Sequence, residues 1–509
     1  MMTLARPQGD RTTGQARRRF ARPLATLVVA ATMLAGCAVG PDYGPPGIEL
    51  PTAWANAKPP RTAPPVADLR QWWRRLNDPL LSRLIEEAVE SNLSVASAKA
   101  RIREARATRR QAIGALFPLL NGTGSATRNQ VSASSTTSGQ ALTSTYNQFQ
   151  AGFDASWELD IFGANRRGVE ATSYGVDAAE DDLRATLLTL VGDVAAYYAE
   201  ARGYQARIAL ARRTAASQRE TAALTQRKFD AGSSSAVDVA KASAQAATTE
   251  ANIPTYQVGY SEAVHRLGVL LGREPTALEQ QLARGTAIPS PRLPLPKGIP
   301  ADVLVMRPDV RKAERQLAQY TAKIGQAEAA LYPSVSLTGS VSTSALKIGD
   351  LAKNSTIGWS VGPTLSVPIF NGGQLRAAVE ISEAQRDQYY VAWRSAVLTA
   401  LEDVENAIVA LAQEQLRIRS LAEASRRYRD AARLSRSLYE TGSSSFLDVL
   451  DAERSLYTAE DSLLQSRVTV ATSFIALAKG LGGGWDGAID SSRPDVIDVN
   501  TGPHLAVAQ

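Results

Sequence analysis

The sequence predicts a mainly α-helical chain with a β-barrel part: four membrane-crossing strands and long coiled-coil-like helices per subunit. Three observations carry this prediction. The segment FDAGSSSAVDVAKASA at 229–244 returns as YETGSSSFLDVLDAER at 439–454, and the constant offset of 210 residues marks an internal duplication. Apolar residues recur at coiled-coil spacing through two very long stretches without proline, and other stretches alternate apolar and polar residues with period two.

In chain order, the first element is a leader. RRRFARPLATLVVAATMLAGC places an arginine-rich start at 17–22, an apolar run at 24–35 and small residues before the only cysteine, Cys37. Leu34-Ala35-Gly36-Cys37 resembles the bacterial lipobox, which implies lipidation of Cys37 as the new N-terminus. The alternative is a signal peptide followed by a buried, reduced cysteine. Ala38 stands where an aspartate would oppose outer membrane sorting, as the resemblance implies. No other apolar run reaches the roughly 18 residues of a spanning helix.

A helix is predicted over 94–117, stopped by Pro118, and its counterpart over 308–332 is stopped by Pro333. Each precedes a strand hairpin. From 146, YNQFQAGFDASWELDIFG sets Phe149, Ala151, Phe153, Ala155, Trp157, Leu159 and Ile161 on one face against Gln150, Asp154, Ser156, Glu158 and Asp160. The second hairpin repeats the device, with Val335, Leu337 and Val341, then Ile357, Trp359, Val361, Leu365, Val367 and Ile369. Its forerunner near 119–129 alternates poorly, and the Ser/Thr-rich stretch 131–145 is expected to be a loop.

Such alternation also suits a half-buried sheet in a soluble domain. Length favours the membrane, because about 10 residues of tilted strand cross a bilayer. Four strands cannot close a barrel, and open edges in lipid cost several kcal/mol per unpaired group. Three copies would pool their strands into a barrel of about 12, with a polar lumen.

The next elements are the long helices. Leu183, Leu187, Leu190, Val194, Tyr197, Ala201, Tyr204, Ile208 and Ala211 step by four and three. Trp393, Val397, Ala400, Val404, Ala407, Leu411, Ile418 and Leu421 keep that register 210 residues later, interrupted only by Glu414. Proline is absent from 164–230 and from 371–441. Each helix can therefore run about 100 Å at 1.5 Å per residue. Returning helices are expected over 236–271 and 446–480. Between outgoing and returning helices lie the Gly-Ser turns, with Gly232 and Gly442 suited to a left-handed position. Ser235 with Asp238, and Ser445 with Asp448, have capping-box spacing. Three chains would place about 12 helices beside the barrel as a tunnel, narrowest at these tips.

Composition narrows the function. Residues 1–36 hold six arginines and one aspartate, so the leader carries +5 of the net +6 and gives no case for nucleic acid. Two histidines and one cysteine leave no ligand set for a metal, and no cofactor is expected. GLGGGW at 480–485 lacks the lysine of a phosphate-binding loop, and no nucleophile–base pair stands out, so the chain is not expected to be an enzyme.

Several motifs together carry a resemblance: the lipobox followed by VGPDY, QWWRRLNDPLL at 71–81, RPDVRKAERQL at 307–317, VPIFNGG at 367–373 and DVLDAERSLYTAE at 448–460. They resemble the TolC-like outer membrane factors, in particular the lipoprotein branch typified by OprM and NodT, over roughly 34–485. The resemblance implies a homotrimer in the outer membrane, extending into the periplasm. It also implies docking to a periplasmic adaptor and an inner-membrane transporter of the resistance-nodulation-division type. Its expected role is passive efflux. A type I protein secretion duct is the alternative, a non-inserted periplasmic coiled-coil lipoprotein a further one, and an envelope-bound hydrolase a distant third.

The resemblance further implies a periplasmic gate at Asp448 and Asp451, a hydrophobic constriction at Leu447, an arginine at Arg454, and a helix-tying Tyr439 whose acidic partner would be Asp238. Ser444 departs from the pattern, standing where a gate-locking arginine is found. Gly232, Ser233, Gly442 and Ser443 are the expected adaptor-docking tips. Simpler roles stand beside these: capping acids for Asp448 and Asp238, tip packing for Leu447, a solvated carboxylate for Asp451, and a hairpin staple for Tyr439. The expected organisation is a signal peptide at 1–36, a lipid-anchored equatorial segment at 37–78 and a first repeat at 79–272, with a strand hairpin at about 118–162 and a tip at about 229–239. An equatorial linker at 273–300 precedes a second repeat at 301–482, with a hairpin at about 333–370 and a tip at about 439–449, and then a tail at 483–509.

Overall fold

The computed structural model describes residues 38–51, 53–56, 69–134, 141–291, 307–484 and 490–491. Cys37, residues 292–300 of the linker 273–300 and nearly all of the tail lie outside the described residues. Seven principal helices and four strands follow in order: α1 (Pro79–Ser91), α2 (Leu93–Gly114), β1 (Leu119–Ser134), β2 (Ala141–Leu159), α3 (Ala164–Asp230), α4 (Ala236–Leu270), α5 (Pro308–Ala329), β3 (Ser334–Ala345), β4 (Ile357–Ser366), α6 (Gln374–Glu440) and α7 (Phe446–Gly480). The chain divides into two units. One comprises Ala105–Val176, Arg315–Tyr390 and the described part of Met1–Pro45; the other comprises Pro46–Glu104, Asp177–Glu314 and Val391–Gln509 as far as described.

In the first unit, all four strands form one antiparallel sheet in the order β1-β2-β3-β4. The two hairpins are joined by β2 and β3, which pair from Phe149↔Ala345 to Leu159↔Val335 although the two strands belong to different repeats. Register aligns the alternation across the sheet. Phe153 pairs with Val341 and Val341 with Trp359, whereas Asp154, Ser340 and Ser360 share the row on the opposite face. The apolar side has no cover: Phe153 is 62% and Trp359 73% exposed, and Val361 and Leu365 are similarly open. Polar side chains bond across the other face, with the Ser340 and Ser360 hydroxyls 2.9 Å apart and Gln148 Nε2 donating to Ser344 Oγ at 3.3 Å.

The expected loop 131–145 is corrected. β1 runs to Ser134 and β2 starts at Ala141, with Val131 opposite Ser144. Serine and threonine tolerate an extended backbone, and a backbone ladder propagates without apolar alternation. A smaller correction concerns the helix ends before proline. α2 and α5 stop at Gly114 and Ala329, and tight turns finish the run, such as Phe117 N–H to Gly114 O at 3.1 Å and Tyr332 N–H to Ala329 O at 3.1 Å. The residue before proline disfavours the α conformation, so the helix tightens before reaching it.

The N-terminal VGPDY stretch is clamped in this unit. Val39 N–H donates to Phe162 O at 3.1 Å, and the buried Arg167 guanidinium donates to Val39 O, Gly40 O and the Asp42 carboxylate. Close approach requires glycine at 325, where an added Cβ would lie 2.8 Å from Val39 O.

In the second unit, the heptad stripe is the core. Leu183, Leu187, Leu190, Val194 and Ala201 of α3 are buried, as are Trp393, Val397, Ala400, Val404, Ala407 and Leu411 of α6. α1 joins them through Leu81, Leu84, Ile85 and Ala88. Asp78 caps α1 by accepting from Leu80 N–H at 2.9 Å, and also accepts from the Tyr198 hydroxyl at 2.7 Å. Burial first, and that carboxylate second, push the Tyr198 phenol up to about 12. Trp72 and Trp73 of the QWWRRLNDPLL motif are fully buried, and Trp72 Nε1 donates to Gly483 O at 3.0 Å.

Candidate functional site: the helical hairpin tips

The two tips, both in the second unit, are built alike. At the first, Ser233 N–H reaches back to Lys228 O at 2.7 Å and Gly232 adopts φ +79°; at the second, Ser443 N–H reaches Leu438 O at 2.8 Å and Gly442 adopts φ +82°. Only glycine takes this left-handed position without strain, and it satisfies the last carbonyls of the outgoing helix. Capping boxes then start α4 and α7. Ser235 N–H donates to Asp238 Oδ2 at 3.2 Å while Asp238 N–H donates to Ser235 Oγ at 3.1 Å, and Ser445 with Asp448 repeats the exchange at 3.1 and 3.4 Å.

Hydroxyls lower both carboxyls. The Ser444 hydroxyl, 2.7 Å from Asp448 Oδ2, is the main cause for Asp448, followed by the Ser445 hydroxyl and amide. For Asp238 the main cause is the Ser235 hydroxyl at 2.7 Å. Ser444, the departure from the expected pattern, thus serves the carboxylate it precedes.

Tyr439 is buried and stands edge-on to Phe446 with ring centroids 5.9 Å apart. Its hydroxyl donates to Thr225 Oγ1 of α3 at 3.3 Å, and Lys228 Nζ lies 4.5 Å from its ring centroid while bonding its carbonyl oxygen. Within the chain, Tyr439 therefore meets Thr225, and the Asp238 carboxylate is engaged by its own capping serines. Around Tyr439, a small apolar cluster of Ala242, Phe446 and Val449 packs the second tip onto the first.

Leu447, Asp451 and Arg454 occupy steps of four and three on α7 and form one exposed stripe beside Asp448; Leu447 is 61% exposed. Sequence reasoning missed Phe446, Val449, Thr225 and Lys228. A signal existed in the 210-residue offset, because Ala236, Lys241 and Ser243 of the first tip become Phe446, Asp451 and Glu453 in the second. Positions that differ between otherwise equal repeats are where the second tip has acquired its own chemistry.

A sheet with an uncovered apolar face, together with paired helical hairpins ending in a carboxylate-bearing tip, defines a membrane-inserting protein of the outer membrane factor class. The chain belongs to the outer membrane efflux protein family, whose model matches residues 84–273 and 299–483. Nodulation protein T of Rhizobium leguminosarum bv. trifolii is 36% identical over 477 residues, covering 92% of this chain and 98% of that protein. The antibiotic efflux pump outer membrane protein ArpC of Pseudomonas putida is 33% identical over 472 residues, covering 91% and 96%. Among solved structures, the outer-membrane channel OprN has a TM-score of 0.81 at 34% identity, covering 88% of this chain and all of that one. The resemblance to the NodT-type lipoprotein branch is borne out by these relatives, as is the mainly helical fold with a strand part.

Proposed function

We propose that three copies of this chain form the passive outer membrane channel of a tripartite efflux system. Cargo would pass from an inner-membrane resistance-nodulation-division type pump and a periplasmic adaptor to the exterior. The observation that carries the reading is the sheet: its apolar face is open, and its outer strands β1 and β4 each have a single neighbour. Unpaired strand edges are too costly in hydrocarbon to stand alone, and pooling three sheets removes every edge. The name of a relative, an efflux pump outer membrane protein, supports the same role. Such a conduit makes and breaks no covalent bond.

In this reading the repeats 79–272 and 301–482 each supply one strand hairpin and one helical hairpin. Cys37 carries the lipid, and the clamp on Val39 and Gly40 fixes the tether beside the junction of β2 and α3. Leu447, Asp448, Asp451 and Arg454 line the periplasmic aperture as symmetric rings, with Tyr439 and Asp238 bracing it. Gly232, Ser233, Gly442 and Ser443 present the turns to the adaptor. The test is reconstitution of detergent-purified protein in planar bilayers together with its mass in solution. A trimer with discrete conductance is expected, and a non-conducting monomer would sink the proposal.

A further inference from the structure

A part-buried polar seam joins the two hairpins just behind the tips. Glu453 of α7 accepts from the Thr221 hydroxyl of α3 at 2.8 Å. Thr225 Oγ1, one turn on, donates to Thr221 O at 2.9 Å and accepts from the Tyr439 hydroxyl of α6 at 3.3 Å. Thr221 and Thr225, one turn apart on a single face of α3, thus tie that helix to the carboxyl on α7 and to the tyrosine on α6. One turn before Thr221 stands Gln218, 2% exposed, with neither amide atom hydrogen-bonded. Thr221 and Thr225 are buried, whereas Glu453 and its bond to Thr221 are part-buried.

We propose that Glu453 is a proton-operated latch of the periplasmic tip: the second hairpin stays seated on the first while this part-buried carboxyl is neutral, and ionisation releases it. The inference rests on the channel reading and adds its regulation. An ionised carboxylate needs several donors, and here it has Thr221. Burial, opposed by the Thr221 hydroxyl and by Arg436, holds the carboxyl above the usual glutamate range.

The charged surroundings are otherwise committed. Arg436 of α6, the cation acting on Glu453, bridges to Glu220 of α3 at 3.0 Å and to Glu440 at 3.6 Å. Arg219 of α3 is paired with Glu250 of α4 at 2.8 Å, and Lys228 of α3 is spent on Tyr439. On α7 itself, Asp451 and Arg454 are exposed. Because the docked form raises the pKa, its advantage is complete below the ordinary glutamate value and is lost as pH rises through the docked value. The tip is therefore held at acid pH and loosens above it.

The test is the pH profile of conductance of wild-type trimers in planar bilayers, with Glu453→Gln and Thr221→Val beside it. In the wild type, open occupancy should rise with pH by up to about tenfold for each unit separating the docked and released pKa values. Glu453→Gln should flatten that rise at the low-conductance level. Thr221→Val keeps the carboxyl and removes its donor, so the midpoint should move to higher pH. A Glu453→Gln channel with the wild-type profile, or an unmoved midpoint in Thr221→Val, overturns the latch and leaves the channel standing. Wild-type trimers that conduct at no pH overturn the channel reading and the latch with it.

Discussion

Asp448 has a capping duty and, in the proposed channel, an aperture duty, and its neighbours make the two compatible. Its backbone N–H and carboxylate complete the capping box, and its exposed position leaves it on the proposed aperture. Replacing Asp448 and Asp451 together by alanine should raise conductance in planar bilayers, since rings of like charge crowd the opening; unchanged conductance would count against the gate assignment. Ser445→Ala isolates the capping duty and should destabilise the start of α7 by about 1 kcal/mol, read as faster amide exchange at 446–448. The depressed pKa of Asp448 means that its contribution is complete above the ordinary carboxylate value and is lost as pH falls through the lowered one. Amide exchange at this tip should therefore accelerate under strongly acid conditions, and Asp448→Asn should remove that dependence. Capping was legible from the Ser-to-Asp spacing alone, because it is local. The Tyr439 contact with Thr225 was not, because it joins residues 214 apart.

At the scale of elements, the long helices follow from heptad spacing and the absence of proline, and α3 and α6 each run 67 residues. Their ends needed more than composition. The motif QWWRRLNDPLL contributed only to the family resemblance, yet in the fold its Trp72 is held by the carbonyl of Gly483, 411 residues away. Trp72→Ala should lose about 3–5 kcal/mol, the usual cost of emptying a buried tryptophan site, with a matching fall in the thermal midpoint. The N-terminal clamp has a sharper requirement. Gly325→Ala would drive a methyl against Val39 O, a backbone atom with no rotamer to yield, so residues 38–43 should detach while α5 stays helical. Limited proteolysis would report cleavage near Tyr43 in the variant and protection in the parent. Protection in both would mean that the segment shifts instead of detaching.

At the scale of the whole molecule, the apolar sheet face decides where the protein can live. Val341 sits mid-row between Phe153 and Trp359, so Val341→Arg places a charge among side chains that need hydrocarbon. A cost of roughly 2–4 kcal/mol at the bilayer midplane is expected. Outer membrane fractions should then hold less protein, while Ser340→Arg on the polar face should insert normally. Equal losses from both would argue against a lipid-facing and lumen-facing division.

Local periodicity by itself determined the duplicated plan, the helical hairpins with their glycine turns and serine caps, and the two faces of three strands, because each depends on residues within a few positions. Tertiary structure alone decided that β2 pairs with β3 across the repeats, that serine-rich 131–134 is strand, and that Thr221, Thr225, Tyr439 and Glu453 form one seam. These features require contacts between distant segments. A ladder or a part-buried carboxyl is specified by the partner that arrives opposite it, and no spacing along the chain records which partner that will be.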